Sequence, residues 1–230
     1  FPEPMVGLAV MPKSRGDEAK LSQALQKITL EDSTVRLDHD VETKELVLRG
    51  MSELHLTLLR ERLKRRDKVE VETKDPKIPY RETILANAEG HNRHKKQTGG
   101  AGQFGEVFLR IEPLPRGAGF EFVDAVKGGV IPNQFIPAVE KGVRQVLDSG
   151  PLSGHPMQDV KVTVYDGKSH PVDSKEVAFV AAGRKAFLDA LAKAKPVVLE
   201  PIVNIDVYAP QSAIGDVTGD LSGRRGQING

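Results

Sequence analysis

The sequence predicts an α+β protein with two domains and the beginning of a third, and three observations lead to this prediction. Residues 1–77 show strand and helix patterns in the order βαββαβ. A proline-rich segment at 75–79 separates them from residues 78–200, which open with strands and continue with two helices. Residues 201–230 then begin again with a strand pattern and a helix pattern.

The first domain, residues 1–77, is predicted from hydrophobic periodicity. An apolar run at 5–11 indicates a strand, and Leu21, Leu25 and Ile28 follow at helical spacing. The remaining elements are strands at 34–38 and 45–49, a helix with Met51, Leu54, Leu58 and Leu63 on its apolar side, and a strand at 69–73. This order is typical of a ferredoxin-like unit, so we expect one sheet with two helices on a single face.

The second domain, residues 78–200, is predicted to combine strands with two long helices. Val107, Leu109 and Ile111 alternate on one face of a strand at 106–112. The other elements are strands at 80–86, 120–125 and 160–164, a helix with Phe135, Val139, Val143 and Val146 that ends at Gly150, and a helix from Asp173 to about Ala194. Asp173 and Glu176 have the spacing of a capping box at the start of that last helix.

Residues 201–230 resemble the opening of the first domain in their pattern. Val203, Ile205 and Val207 alternate as in a strand, and 213–225 has a helical pattern. A strand and one helix do not bury an apolar face by themselves. We therefore interpret this segment as a truncated ferredoxin-like unit and expect the chain to be a fragment of a longer protein.

The composition excludes several classes of protein. Thirty-three Lys and Arg against 32 Asp and Glu, with 39% hydrophobic residues, exclude a disordered polyelectrolyte and a uniformly basic nucleic-acid coat. The chain has no cysteine, which excludes disulfides and thiolate metal sites. It also lacks a secretory signal and any apolar run near the ~20 residues that cross a bilayer. We therefore expect a cytoplasmic protein without membrane contact.

Three short motifs suggest enzymatic chemistry, but their context argues against it. Residues 100–105 match G-x-G-x-x-G, yet they lead into a predicted strand, whereas a dinucleotide site requires a helix there. Residues 167–169 resemble the end of a P-loop but lack its first glycine, since Val162 occupies that position. Ser169, His170, Asp173 and Ser174 are too close in sequence to converge as a catalytic triad. We expect no catalytic residue and no bound nucleotide.

The segment 90–105 is the most asymmetric in charge. It contains Arg93, Lys95 and Lys96, two histidines and no acid. Two interpretations remain open, a solvated loop at a hairpin tip or a surface that contacts nucleic-acid phosphates. His91 and His94 lack an evident third ligand, so we expect no metal. Three tyrosines, eight phenylalanines and no tryptophan favour recognition of RNA shape and backbone over extensive base stacking.

Six segments together resemble translation elongation factor G, and the match around them is ordered and nearly gap-free from residue 5 to the end of the chain. They are residues 94–105, 128–142, 150–154, 172–176, 195–201 and 215–226. The resemblance implies that residues 1–77, 78–200 and 201–230 correspond to domain III, domain IV and the start of domain V. Domain IV would then have the ribosomal protein S5 domain 2-like fold.

The resemblance also implies a function and its site residues. Elongation factor G inserts domain IV into the ribosomal A site and promotes translocation of tRNA and mRNA. The expected decoding-site contacts are Gln97, Thr98, Gly99, Gly100, Ala101 and Gly102 in one tip loop and His170 in another. The implied partners are the ribosome with its 16S and 23S rRNA, the A-site tRNA and the mRNA, bound by a monomer. GTPase activity, with GTP and Mg²⁺ as cofactors, would belong to the parent protein and not to this segment.

Alternatives to translocation remain. Ala101 stands where many members of the family carry a basic or hydroxyl residue, and the segment 90–94 resembles the second, elongation factor G-like paralogues, which leaves ribosome recycling open. Tetracycline ribosomal protection proteins share the domain layout, but their tip loops differ from residues 97–100. From other classes, a dinucleotide-dependent enzyme would bind nucleotide at 100–105, and a free-standing RNA-binding module would function without a GTPase domain.

Overall fold

The computed structural model describes residues 3–41, 43–97 and 102–229. The chain divides into two compact units, Phe1–Glu200 and Pro201–Gly230. Within the described residues, no helix combines the length and the apolar character needed to cross a bilayer.

The first sheet of the larger unit has the predicted βαββαβ order. Its elements are β1 (Val6–Pro12), α1 (Glu18–Glu31), β2 (Arg36–Asp40), β3 (Glu45–Gly50), α2 (Glu53–Arg62) and β4 (Val71–Lys74). The four strands are antiparallel in the order β2-β3-β1-β4. This arrangement confirms the ferredoxin-like prediction, with element boundaries shifted by one or two residues in most cases.

The apolar side of α2 differs from the predicted one. Leu56 and Leu59 of α2 are buried, as is Leu63 in the π-helical turn Leu63–Asp67 that follows. By contrast, Leu54 is 69% exposed and Leu58 is 53% exposed. The prediction that Leu54 and Leu58 face the core is therefore wrong. Two apolar stripes with the same spacing run along this part of the chain. The stripe of Leu56, Leu59 and Leu63 is buried, and the stripe that contains Leu54 and Leu58 is exposed.

The second domain, within the larger unit, has a sheet with two helices on one face. Its elements are β5 (Arg81–Ile84), β6 (Ala88–Lys96), β7 (Gln103–Pro113), β8 (Phe120–Asp124), α3 (Ile136–Ser149), β9 (Val160–Lys168), α4 (Glu176–Lys193) and β10 (Pro196–Leu199). Strands β6, β7, β9 and β8 form a four-stranded sheet in that order, and only β8 and β9 pair in parallel. Strands β5 and β10 form a separate antiparallel pair. This is the S5-like α+β domain expected from the resemblance.

Two glycines allow backbone atoms of this domain to approach closely. A Cβ atom on Gly142 of α3 would lie 2.2 Å from the carbonyl oxygen of Val180 in α4. A Cβ atom on Gly90 of β6 would lie 2.0 Å from the carbonyl oxygen of Ala186, also in α4. Both contacts exclude any larger residue, so α4 is held tightly between α3 and β6.

Glu82 of β5 is a buried carboxylate that joins distant parts of this domain. It is 0% exposed and accepts hydrogen bonds from the backbone N–H groups of Leu152, Ser153 and His155, at 2.9, 2.6 and 3.2 Å. Burial raises the pKa of Glu82, but these N–H groups lower it more, so the pKa lies below its usual value. The ionised carboxylate therefore stabilises the connection that follows α3.

Three elements of this domain depart from the prediction. Strand β6 is absent from the predicted elements, because the sequence indicates a loop for residues 90–105. Strand β10 is absent from them as well. Helix α4 begins at Glu176 and has no side-chain cap, so the capping box of Asp173 and Glu176 is wrong. The side chain of Asp173 instead accepts a hydrogen bond from another loop.

The smaller unit contains a helix but no strand in its described residues. Helix α5 (Ile214–Gly223) follows a short 3₁₀ turn and agrees with the predicted helix. Val203, Ile205 and Val207 are 68%, 64% and 50% exposed, and the strand predicted there does not form. A strand requires a hydrogen-bonding neighbour, and none is present among the described residues of this unit.

Candidate nucleic-acid interface

Two connections of the second domain meet at one end of its sheet. Residues 97–102 join β6 to β7, and residues 169–175 join β9 to α4. Phe104, next to the first connection, pairs in a parallel bridge with Ser174 in the second. Of the predicted contact residues, Thr98, Gly99, Gly100 and Ala101 lie outside the described residues. Gln97 is exposed and Gly102 is buried.

Asp173 connects the two loops through its side chain and its main chain. Its Oδ1 accepts a hydrogen bond from the backbone N–H of Gly102 at 3.1 Å, and its carbonyl oxygen accepts one from the N–H of Phe104 at 2.9 Å. A Cβ atom on Gly102 would lie 2.8 Å from the Asp173 carboxylate. Ser174 adds a hydrogen bond from its hydroxyl to the carbonyl oxygen of Phe104 at 3.0 Å. The two loops therefore form one connected tip.

His170 is held at this tip by its own loop. Its Nδ1 accepts hydrogen bonds from the backbone N–H groups of Val172 and Asp173, at 3.3 and 3.1 Å. Its own backbone N–H donates to the Ser174 hydroxyl at 2.8 Å. Because Nδ1 is an acceptor, the neutral ring carries its proton on Nε2. The His170 side chain is 50% exposed, so this N–H group is a fixed donor available to a ligand.

The basic residues of segment 90–105 lie on a strand and not in a loop. Arg93 and Lys95 are paired with Glu106 and Phe104 across the β6–β7 ladder, on the face of the sheet away from the helices. Lys96 lies on the opposite face, because side chains alternate along a strand. The predicted patch is therefore split between the two faces. All three cations are exposed or half-buried, and none has an ion-pair partner among the residues that the structure describes.

His91 and His94 do not form a pair of metal ligands. They are three residues apart on β6 and therefore lie on opposite faces. His91 Nε2 is 2.9 Å from Glu106 Oε1, and His94 Nε2 is 3.2 Å from Gln103 Oε1. In the described part of the chain, no three His, Asp or Glu side chains are grouped so that they could hold a metal ion.

The nucleotide-like motifs have the wrong structural context. Gly102 directly precedes strand β7 and Gly105 lies within it, and no helix begins there. Gly167 and Lys168 lie within strand β9, whereas a P-loop opens a helix. These placements argue against a dinucleotide site at 100–105 and a P-loop at 167–169.

Sequence reasoning misses the residues that connect the tip. The pattern of the chain predicts a helix cap at Asp173, suggests Ser174 only as part of a catalytic set that its context argues against, and indicates no role for Phe104. Gly102 and Asp173 are 71 positions apart, and no local pattern reports a hydrogen bond over that separation. The one available signal is Gly102 itself, since a glycine at the end of a loop often marks a close approach.

Comparisons with known proteins agree with this architecture. The chain matches the family models described as Elongation factor G, domain IV, over residues 76–195, Elongation Factor G, domain III, over 1–75, and Elongation factor G C-terminus, over 197–230. It is also similar to a crystal structure of a protein from Thermus thermophilus, with 47% sequence identity and a TM-score of 0.81. That match covers 100% of this chain and 34% of the Thermus chain, so the chain spans about a third of that protein's length. With family models matching nearly its whole length, this chain belongs to the elongation factor G family of translation elongation factors.

Proposed function

We propose that this chain provides the part of an elongation factor G that enters the ribosomal A site and promotes translocation of tRNA and mRNA. The observation that carries the proposal is the connected tip, in which Asp173 holds the loop containing Gln97 and Gly102 against the loop containing His170. The tip presents polar donors and backbone at one end of the α+β second domain. Its described residues contain no arrangement of groups for covalent chemistry.

The chemistry of the tip suits contact with paired RNA. The minor groove of A-form RNA is wide and shallow, and it displays 2′-hydroxyls that both donate and accept hydrogen bonds. The Gln97 amide and the Nε2–H of His170 are donors, and the glycines of residues 99–102 allow the backbone to approach closely. We infer that Gln97, Thr98, Gly99, Gly100, Ala101, Gly102 and His170 contact the codon–anticodon helix and that Arg93, Lys95 and Lys96 contact phosphates.

Energy for the movement would come from another part of the full-length protein. These 230 residues contain no P-loop, so we assign GTP hydrolysis, GTP and Mg²⁺ to a separate GTPase domain. The inferred partners are the ribosome with its 16S and 23S rRNA, the A-site tRNA and the mRNA. We place the protein in the cytoplasm as a monomer, because translation occurs there and the tip must enter a ribosomal cavity.

Ribosome recycling is a second candidate function. It rests on the resemblance of residues 90–94 to the second paralogues of the family. The structure places this segment on β6, where Gly90 packs against α4 and His91 and Arg93 lie on the outer face. Both functions use the same fold, so only an assay on ribosomes distinguishes them.

The test uses a full-length elongation factor G that carries this chain, with His170→Ala compared with wild type. His39→Ala is the matched control, since His39 is an exposed histidine on β2, far from the tip in sequence. We expect His170→Ala to slow translocation about tenfold, which corresponds to the loss of roughly one hydrogen bond in the rate-limiting step. GTP hydrolysis should change less than about twofold, because the GTPase site is remote. Gln97→Ala should have the same effect.

Two results would contradict translocation at this tip. Equal losses of translocation and GTP hydrolysis would show a general defect of the factor. Efficient subunit splitting by the wild-type factor without any translocation would assign the chain to recycling. His39→Ala must behave as wild type in both assays for either conclusion to hold.

A further inference from the structure

The outer face of the four-stranded sheet, defined as the face of β6, β7 and β9 away from α3 and α4, is not covered by the helices. Val107, Leu109 and Ile111 of β7 are 0% exposed and face the helices. Most side chains on the other face are exposed or half-buried, as His91 and Phe108 are, whereas Phe104 and Thr163 on that face are buried. One face of the sheet is therefore buried against the helices, and the other is accessible to solvent.

The half of the outer face next to the tip is positively charged. In the register of the sheet, Arg93 on β6 and Lys168 on β9 lie on either side of Glu106 on β7, and Lys95 is one pair nearer the tip. Glu106 is hydrogen-bonded to His91 at 2.9 Å and is 15% exposed. No carboxylate lies within ion-pair distance of the three cations among the residues described, so three positive charges stand against one shielded negative charge.

The same half also carries aromatic rings. His91 stacks on Phe108 with ring centroids 4.0 Å apart and an angle of 17° between the planes. Tyr165 lies beside Phe108 at 6.4 Å, and the Arg93 guanidinium is 5.3 Å from the centre of the Phe104 ring. One side of the His91 ring is occupied by Phe108, and the His91 side chain is 44% exposed. A planar base can therefore stack on the outer side of His91.

From this combination, we propose that the outer face binds a single-stranded RNA segment that continues from the tip. A base stacks on His91, and Arg93, Lys95 and Lys168 contact the phosphates between that base and the tip. The segment ends where Glu89 and Asp166 begin, because those carboxylates repel a polyanion. This proposal extends the proposed function and rests on it for the nature of the partner, since it adds a strand-binding surface to the RNA contacts of the tip.

The charge argument is tested with the complete 230-residue chain and a fluorescein-labelled single-stranded RNA of about twelve nucleotides, measured by anisotropy at several salt concentrations. The variant combines Arg93→Gln with Lys168→Gln. Its matched control combines Arg184→Gln with Lys185→Gln, which removes the same two charges from an exposed part of α4. Two lost phosphate contacts reduce the salt slope by about 1.4, so a fourfold rise in salt should weaken wild-type binding about sevenfold more than variant binding.

The stacking argument is tested with two substitutions of the same histidine. His91→Gln can keep a hydrogen bond to Glu106 but has no ring, whereas His91→Phe keeps a ring and loses the bond. We expect His91→Gln to weaken RNA binding about fivefold or more and His91→Phe to restore it, with the salt slope unchanged in both. A merely structural role of the His91–Glu106 bond would give the opposite order.

The outcomes are decisive for this surface independently of translocation. Equal RNA binding by the Arg93/Lys168 variant and its control overturns the proposal, whatever His170→Ala does on ribosomes. Binding of an acidic peptide, lost in the Arg93/Lys168 variant and accompanied by no RNA binding, also overturns it and assigns the face to a protein partner. If the Arg93/Lys168 variant loses RNA binding as expected but His170→Ala translocates like wild type, the outer face keeps its proposed role. Only the proposed role of the tip is then contradicted.

Discussion

Replacing Asp173 with alanine removes a side chain that joins the two tip loops, and the effect can be estimated from its contacts. Asp173 Oδ1 accepts the Gly102 N–H at 3.1 Å, and the side chain is 33% exposed. A hydrogen bond to a charged group contributes about 1.5–3 kcal/mol, and the partial exposure favours the lower end. We therefore expect Asp173→Ala to lower the free energy of opening this bond by about 1.5 kcal/mol. The Gly102 amide should then exchange its hydrogen roughly tenfold faster.

Amide hydrogen exchange followed by NMR measures this prediction directly. The Phe104 amide is an internal reference, since it donates to the main-chain carbonyl of Asp173, which the substitution retains. Asp166→Ala is the matched control, because it removes one aspartate whose Oδ1 accepts the neighbouring Gly167 N–H. Unchanged exchange of Gly102 in Asp173→Ala would refute the inference that this side chain holds the loops together. Equal acceleration at Phe104 would show that the whole tip had unfolded instead.

Three further predictions concern stability. Gly90→Ala should lower the free energy of unfolding in urea by about 1–3 kcal/mol or more, because its Cβ would lie 2.0 Å from a carbonyl oxygen, whereas Gly219→Ala in α5, with no atom within 4 Å, should not. Leu56→Ala should lower it by about 2–5 kcal/mol and Leu54→Ala by less than about 0.5 kcal/mol, and similar losses would contradict the assigned side of α2. The lowered pKa of Glu82 means that the folded state favours its ionised form, so this stabilisation is present above pH ~4.3 and is lost as pH falls further. The free energy of unfolding of Glu82→Gln should therefore fall less than that of wild type between neutral and acidic pH. Parallel acid-unfolding curves of the two proteins would contradict this role of the Glu82 carboxylate.

The periodicity of apolar residues predicted most elements, but it could not choose between equivalent faces. In and beside α2, Met51, Leu54 and Leu58 have the same i, i+3, i+7 spacing as Leu56, Leu59 and Leu63. Both sets form a continuous stripe on a helix, so periodicity alone does not determine which one faces the sheet. Only the position of the sheet resolves the choice.

Strand β6 could not be predicted because its buried side has almost no apolar side chains. Ala88, Gly90 and Asn92 face the helices, where α4 approaches too closely for larger residues, and the other face carries charged residues. Alternation of apolar and polar residues is the usual signal of a strand, and this close contact removes it. Residues 203–207 show the opposite error. Their apolar and polar residues alternate clearly, but the described part of the chain provides no partner strand and no strand forms there.

The candidate site came from two different kinds of inference. The charge asymmetry of 90–105 is visible in the sequence, although its division between two faces requires the strand register. The roles proposed for Gln97 and His170 came from the resemblance to a family, because nothing in their local pattern distinguishes them from other exposed loop residues. The Asp173 contact is visible only in three dimensions.

Because the Gly102 N–H donates to Asp173, the two tip loops must be transplanted together when they are swapped between related proteins. A chimera that received only residues 97–102 would place a foreign loop against a native aspartate whose carboxylate leaves no room for a side chain at position 102. Transfer of 169–175 alone would leave the Gly102 N–H dependent on whatever residue replaced Asp173. Grafting experiments that compare tips should therefore move both segments together, although 71 positions separate Gly102 from Asp173 along the chain.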